Sequence, residues 1–592
     1  MYRAPVAEIA FSLKEVAGLK AALADGSLGD LTEDVVDAVL EEAGRFATEE
    51  LAPLNRIGDA HGSSVKDGVV TTPPGWKETY RRWAQGGWNA ISGPVGYGGQ
   101  GLPTMLAVAA SEMWNSACMA FGLGPLLTIG AIEALDKHGS PELKENYLAK
   151  LVSGQWMGTM NLTEPQAGTD LAALKTRAEP AGDGTYRIYG QKIFITYGEH
   201  EMTENIVHLV LARLPDAPAG TRGISLFLVP KFLPDAGGAP GARNDVWCQS
   251  VEHKLGIHAS PTCVMLYGDG KFSPRGAPGA IGWLIGEENR GLACMFTMMN
   301  NARLNVGIQG VAIAEAAYQH ALAYARERRQ GRAQGAAGTA MSPIVDHPDV
   351  QRNLLTMKSQ VAAARAICHS CAHAIDRSHA GGPDAKAWSE RAGLITPVAK
   401  AFSSDIGVEV ASLGVQIHGG MGFIEETGAA QFLRDARINP IYEGTNGVQA
   451  IDLVTRKLPL SGGSAFAAWM AELRAVAQDV RASNRDGFGA TAERLVEALD
   501  AAEAAGRSLL AAQADGRIND ALAGATPFLR LVGLAAGGAH LARAGLADSG
   551  DARVALARFY AENLLGECGA LKSRALEGAA SLAAAASFLQ SA

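Results

Sequence analysis

Glu443 stands in a short stretch, Ile441–Gly447 (IYEGTNG), between a large aromatic, Tyr442, and a glycine, Gly444. A helical pattern runs through Asp435 and Arg437 and breaks at Pro440; an apolar pattern at helical spacing resumes with Val448, Ile451, Leu453 and Val454. Glu443 is therefore expected in a turn between helices. A carboxyl desolvated by a neighbouring ring has a raised pKa, which suits a general base. The competing reading is a solvated loop glutamate.

Three further stretches carry groups that suit a ligand. Met160–Asp170 (MNLTEPQAGTD) offers the hydroxyls of Thr163 and Thr169, the carboxylate of Asp170, and Gly168, which permits close backbone approach. Lys192–Thr196 (KIFIT) reads as a strand in which Phe194 and Thr196 share a face by the two-residue period. A ring beside a hydroxyl suits a flat heteroaromatic cofactor; the alternative is a plain turn and a strand with Phe194 in the core. Gln416–Phe423 (QIHGGMGF) ends a helix on two glycines, which allow close approach but also serve as an ordinary C-cap. Tyr324–Arg329 (YARERR) closes another helix with cations, which the helix dipole favours in any case.

These stretches must be held by a large scaffold. The chain has 592 residues, 47% hydrophobic and 19% charged, with a net charge of −9 that disfavours nucleic acid as a main partner. Seven scattered cysteines give no disulfide framework and suit a reducing, cytoplasmic setting. The first residues (MYRAPVAEIAFSLKEV) resemble neither a secretory signal nor a transit peptide. The most apolar run, near Leu529–Ala547, is interrupted by His540 and Arg543, too soon for a membrane span.

Four segments are expected. Residues 1–155 are helical: Val35, Val39, Ala43, Phe46 and Leu51 recur at helical steps, and Ser140-Pro141-Glu142 opens a helix. Residues 156–282 are β, with strands at Tyr186–Tyr189, Lys192–Tyr197, Ile206–Arg213, Ile224–Val229 and Thr262–Leu266. Residues 283–460 return to long helices, the first near Phe296–Arg328. Ser461–Ser464 (SGGS) reads as a linker, and 461–592 as an alanine-rich helical extension with nearly balanced charge. The fold class is mainly α with a central β domain.

TEPQAGTD, KIFIT, YARERR, IHGGMGF and IYEGT, in this order and on a helical, β, helical scaffold, resemble the flavin-dependent acyl-CoA dehydrogenases over nearly the whole chain. The resemblance implies FAD, a helical domain, β-barrel and helical bundle with a C-terminal extension, and Glu443 as catalytic base. It implies FAD contacts at Met160, Leu162, Thr163, Gly168, Thr169, Phe194, Thr196 and Thr445, and, reaching a neighbouring subunit's FAD, at Arg328, Gln416 and Gly420. It implies acyl-CoA contacts at Asn300, Arg303, Gly444 and Arg365. Some relatives take their base from the position held here by Ala302, which has no carboxyl.

Two positions depart from the family pattern: Gly331 lacks the usual phenylalanine, and Gly447 replaces a common glutamine. Cys368, His369, Cys371 and His373 crowd together, but inside a helical pattern; helix packing is the expected role and no metal is assigned. The resemblance further implies an acyl-CoA substrate, an electron-transfer flavoprotein as electron acceptor, and, because of the extension, a homodimer. Rival readings are an acyl-CoA oxidase and a DNA-binding flavoprotein of the same fold; the tail's balanced charge gives the latter no support.

Overall fold

A computed structural model describes residues 1–590, apart from the side chain of Asn300. The chain forms two compact units that interleave along the sequence: one holds residues 1–47, 104–116 and 303–592, the other 48–103 and 117–302.

The unit built from 48–103 and 117–302 carries all the strands. A hairpin pairs β1 (Ser64–Lys66) with β2 (Val69–Thr71) inside the segment expected to be wholly helical; Asp67 and Gly68, both at positive φ, make the turn. The main sheet runs β10 (Val246–Val251), β11 (Thr262–Tyr267), β5 (Tyr186–Thr196), β12 (Ala280–Ile285), β7 (Ile224–Pro230), β6 (Asn205–Arg213), β3 (Trp156–Asn161). β4 (Arg177–Pro180) pairs with β5 and β6, and β8 (Phe232–Pro234) with β9 (Pro240–Arg243). β3 and β6 are parallel and buried along nearly their whole length, so they read as apolar runs rather than alternating strands. That is why β3 escapes a reading based on alternation.

The two strands expected at 186–189 and 192–197 are one strand, β5. Its pairing with β11 slips between Cys263 and Met265, opposite Ile195 and Lys192. Phe194, at φ +60, lies in this bulge.

The other unit is helical. Its first long helix, Glu33–Phe46, buries Val36, Leu40, Ala43 and Phe46; Ala43 and Phe46 are expected positions, whereas at the start of the helix Val36 and Leu40 are buried in place of exposed Val35 and half-buried Val39. Helices Pro348–His379 and Ala385–His418 pair along their length, and the tail helix Ala525–Ala547 packs on both. Gly533 of that helix sits so near Phe402 that a Cβ would stand 2.4 Å from its ring. Arg530 grips Glu409 with two nitrogens at 2.8 and 2.9 Å. The tail therefore covers its own chain's core. Leu509, Leu529 and Leu531 are buried, whereas Ile518 is exposed.

Ser461–Ser464 is not a flexible linker. Ser461, Gly462 and Gly463 all take positive φ in an ordered turn, and Ser461 Oγ donates to Glu390 at 2.8 Å. Among the described residues one helix, Thr104–His138, is long and apolar enough to cross a membrane, rather than the run near 529–547. Of its most apolar stretch, 89% is buried within the fold.

Candidate active site

In the helical unit, the chain turns between Pro440 and the helix Asn446–Asp452. The Asn446 N–H donates to Pro440 O at 3.0 Å and closes the loop. Thr445 caps the helix, its hydroxyl oxygen accepting from Val448 N at 3.4 Å. Gly444 at φ +83 is required: a Cβ there would stand 2.7 Å from Gln449 Nε2, which donates to the Gly444 carbonyl at 3.1 Å. Glu443 itself takes φ +55, a conformation uncommon for any residue with a side chain and one that recurs at functional sites.

Glu443 is half-buried. Burial pushes its pKa up to about 7, and the cations Lys400 and Arg303 hold it from rising further. A carboxyl near neutrality is half-ionised at physiological pH and strong enough as a base for carbon acids. Arg303 is itself nearly buried, 3.8 Å from Asp452, with Glu443 also favouring its charge. Tyr442 reaches the other way: its hydroxyl donates to Gln309 Oε1 and lies 3.3 Å from Asn439 Oδ1. The ring thus walls the turn from one side. Ala302 is buried and has no acid chemistry to offer.

In the β unit, the segment after β3 folds back on β5. Glu164 and Ala167 exchange backbone hydrogen bonds at 3.0 Å, and Ile193 N donates to Thr163 O at 2.9 Å. Lys192, fully buried, donates to Leu162 O and Glu164 Oε1, both at 2.9 Å. Met160 is nearly buried, Leu162 and Thr163 are half-buried, and Gly168 and Thr169 are exposed. Phe194 is 58% exposed, so it is no core residue, and Thr196 is half-buried on the same accessible side, flanking buried Ile195. An apolar ring left bare on a bulge, with a hydroxyl beside it, fits the flat ring of the FAD implied by the sequence.

Arg328 follows directly on the helix Gly291–Glu327 and is exposed. Gln416, in the last turn of Ala385–His418, is exposed, and Gly419 and Gly420 have nothing within 4 Å of a built Cβ. These open, donor-rich positions fit an anionic ligand arm. Asn300 lies outside the described residues as far as its side chain is concerned. Arg365 is a correction. It is 2% exposed, and its guanidinium is taken up by Glu112 (2.6 Å) and Glu315 (2.8 Å). A buried, doubly neutralised arginine has no charge to offer a CoA tail. The cysteine–histidine cluster is helix packing: His369 Nδ1 bonds Ser12 Oγ at 2.9 Å and Cys371 Sγ lies 3.5 Å from Thr396 Oγ1.

Sequence reasoning missed Lys400, Asn446, Lys192 and Glu164. The signal was present: Lys400 stands in PVAKAF and Lys192 in QKIFI, charged residues inside apolar periodic runs, where burial is the exception.

Four family models match the chain: Acyl-CoA dehydrogenase, N-terminal domain (34–155), middle domain (159–269) and C-terminal domain (289–458), and Acetyl-CoA dehydrogenase C-terminal like (469–586). The chain is 48% identical over 585 residues to a 3-methylmercaptopropionyl-CoA dehydrogenase of Ruegeria pomeroyi, covering 97% of both chains. It is 35% identical over 478 residues to a butyryl-CoA dehydrogenase of Syntrophomonas wolfei, covering 79% of this chain and 77% of the other. The crystal structure of Caenorhabditis elegans ACDH-11 in complex with C11-CoA shares the fold, with a TM-score of 0.74, 22% identity, and coverage of 90% and 89%. With all three core domains and the extension matched in order, and the carboxyl of Glu443 set on its turn, the chain belongs to the acyl-CoA dehydrogenase family.

Proposed function

We propose that the protein is an FAD-dependent dehydrogenase of short acyl-CoA thioesters, with 3-methylmercaptopropionyl-CoA the specific substrate, forming a trans-2-enoyl-CoA. The observation that carries the reading is the half-buried Glu443 carboxyl, raised to about 7 on a turn whose backbone is held at positive φ. Whole-length similarity to the Ruegeria pomeroyi protein supports the choice of substrate.

The chemistry follows from the residues. Ionised Glu443 takes the proton from the carbon next to the thioester, and a positioned base of this kind is worth about 10²–10⁴ in rate. As that proton leaves, charge builds on the thioester oxygen, and the Glu443 backbone N–H is the group assigned to hold it. Arg303 and Lys400 favour the ionised base against burial. FAD, when bound, supplies the acceptor for the hydride from the β-carbon. Met160, Leu162, Thr163, Gly168, Thr169, Phe194, Thr196 and Thr445 are assigned to hold it, with Arg328, Gln416 and Gly420 reaching the FAD of a second subunit. Electrons then pass to an electron-transfer flavoprotein, and the working form is a cytoplasmic homodimer whose tail covers its own helices.

The test is a panel of acyl-CoAs with flavin bleaching as the readout. 3-Methylmercaptopropionyl-CoA and short straight-chain thioesters should bleach fastest. Bleaching by long-chain or aromatic thioesters alone refutes the substrate. Light scattering at micromolar concentration should give a dimer; a stable tetramer refutes the assembly.

A further inference from the structure

We propose that Lys400 is a positioning residue for the reaction: its ammonium ties both ends of the Glu443 turn to the helix Ala385–His418. The inference rests on Glu443 being the base.

The geometry is specific. Lys400 is fully buried. Its Nζ donates to Asn439 O and to Asn446 Oδ1, both at 2.9 Å. Asn439 precedes the turn and Asn446 follows it, so one ammonium spans the loop that carries Glu443. Asn446 is held in turn: its Nδ2 donates to Asp405 Oδ1 at 2.7 Å and to Ala401 O at 3.1 Å, and its backbone N–H closes the loop on Pro440. Lys400, Ala401 and Asp405 all belong to the same helix. A rigid element thereby fixes a turn whose central residue sits at φ +55, where an untied backbone would relax.

A buried cation is costly unless something uses it. Among the described residues no carboxylate lies within ion-pair distance of Lys400. The carboxyls that favour its charge are Glu443 and Asp405, acting against burial, which pulls its pKa down to about 7. A methionine would fill the space without that penalty, and a glutamine would keep a donor without the charge. The retained ammonium matches what the base needs: a donor to two acceptors and a positive field. The groups around Glu443 are Lys400 on one helix, Arg303 with its neighbours Asp452 and Arg456 on others, Asp405 beyond Asn446, and the neutral phenol of Tyr442. Of these only Lys400 touches the backbone of the turn's flank as well as bearing on the carboxyl.

The test compares the FAD-loaded wild type with Lys400→Met, Lys400→Gln, Lys400→Arg and Glu443→Gln. Single-turnover flavin bleaching by saturating butyryl-CoA is followed across pH. In parallel, the protonated-carboxyl band missing from Glu443→Gln is titrated by infrared difference. Removing the cation lifts the value of Glu443, so in Lys400→Met the acid limb and the infrared midpoint should both rise by about one pH unit or more. The plateau rate should fall about tenfold or more as the turn loosens. Lys400→Arg keeps the charge and should keep the limb near that of wild type even with a lower plateau. If Lys400→Met does not fold, Lys400→Gln carries the same expectation. A Lys400→Met or Lys400→Gln limb that superimposes on wild type overturns the proposal, as does a Lys400→Arg limb displaced as far as theirs. Undiminished bleaching by Glu443→Gln overturns the assignment of the base instead, so the two failures are distinct.

Discussion

Two buried lysines brace two loops in this protein, and they do so under opposite electrostatic terms. Lys192 meets a carboxylate: Glu164 accepts from it at 2.9 Å and also from the backbone N–H groups of Lys175 and Thr176. Burial pushes against the Glu164 charge, but Lys192 and those donors prevail and hold it at about 2; burial pulls Lys192 down only to about 8. The pair is an ionised lock under the segment assigned to the cofactor. Lys400 meets a carbonyl and an amide instead, and falls to about 7, while Glu443 rises to about 7. One loop is built to stay put. The other is built to leave a carboxyl near its titration point, the property a base requires and a structural pair lacks.

The largest effect should come from breaking the lock. Lys192→Met leaves Glu164 buried without its cation, and loss of one partner from a buried pair costs about 3–5 kcal/mol. Denaturant unfolding of the two proteins measures it; a loss under about 1 kcal/mol would remove the contrast. Lys400→Met should cost less, about 1–3 kcal/mol, because it orphans two neutral acceptors rather than a bonded carboxylate. The same unfolding series checks the order. Gly444→Ala forces a side chain to φ +83 against Gln449 and should cost about 1–3 kcal/mol while slowing turnover.

The pH dependence of stability sharpens the comparison further, with smaller effects. The folded-state value of Glu164 lies below its ordinary 4.5, so its contribution is complete above pH 4.5 and is lost as pH falls toward about 2. The depression of Lys400 works the other way. Between about pH 7 and its ordinary 10.5 the unfolded chain holds a proton that the native lysine has released, so stability rises with pH across that window. Thermal unfolding of Lys400→Met should lack that rise relative to wild type.

What the sequence revealed of this site tracks how local each determinant is. The Glu443 turn was legible because Pro440, Tyr442 and Gly444 are its own punctuation. The open glycines after Gln416 and the cap at Ser140, whose hydroxyl accepts from Leu143 at 3.3 Å, are equally local. Phe194 was read on a regular strand, but not in its bulge, because the slip depends on pairing with β11, some seventy residues on. Lys400 lies in an apolar helical run, but the acceptor that takes its ammonium, Asn446, is 46 positions away. Arg365 failed for the same reason at longer range: Glu112, which neutralises it, lies 253 positions away. Long-range partners decide whether a charge is a site or a strut, and no periodicity announces them.

Catalysis here depends on Glu443 as the base, and Glu443→Gln tests that most directly. The substitution keeps size and hydrogen-bonding capacity and removes the base. Rapid mixing of the FAD-loaded variant with 3-methylmercaptopropionyl-CoA or butyryl-CoA should show a bound flavin spectrum and thioester binding like those of wild type, with bleaching slower by about 10²–10⁴. Bleaching within a few-fold of wild type would contradict the account.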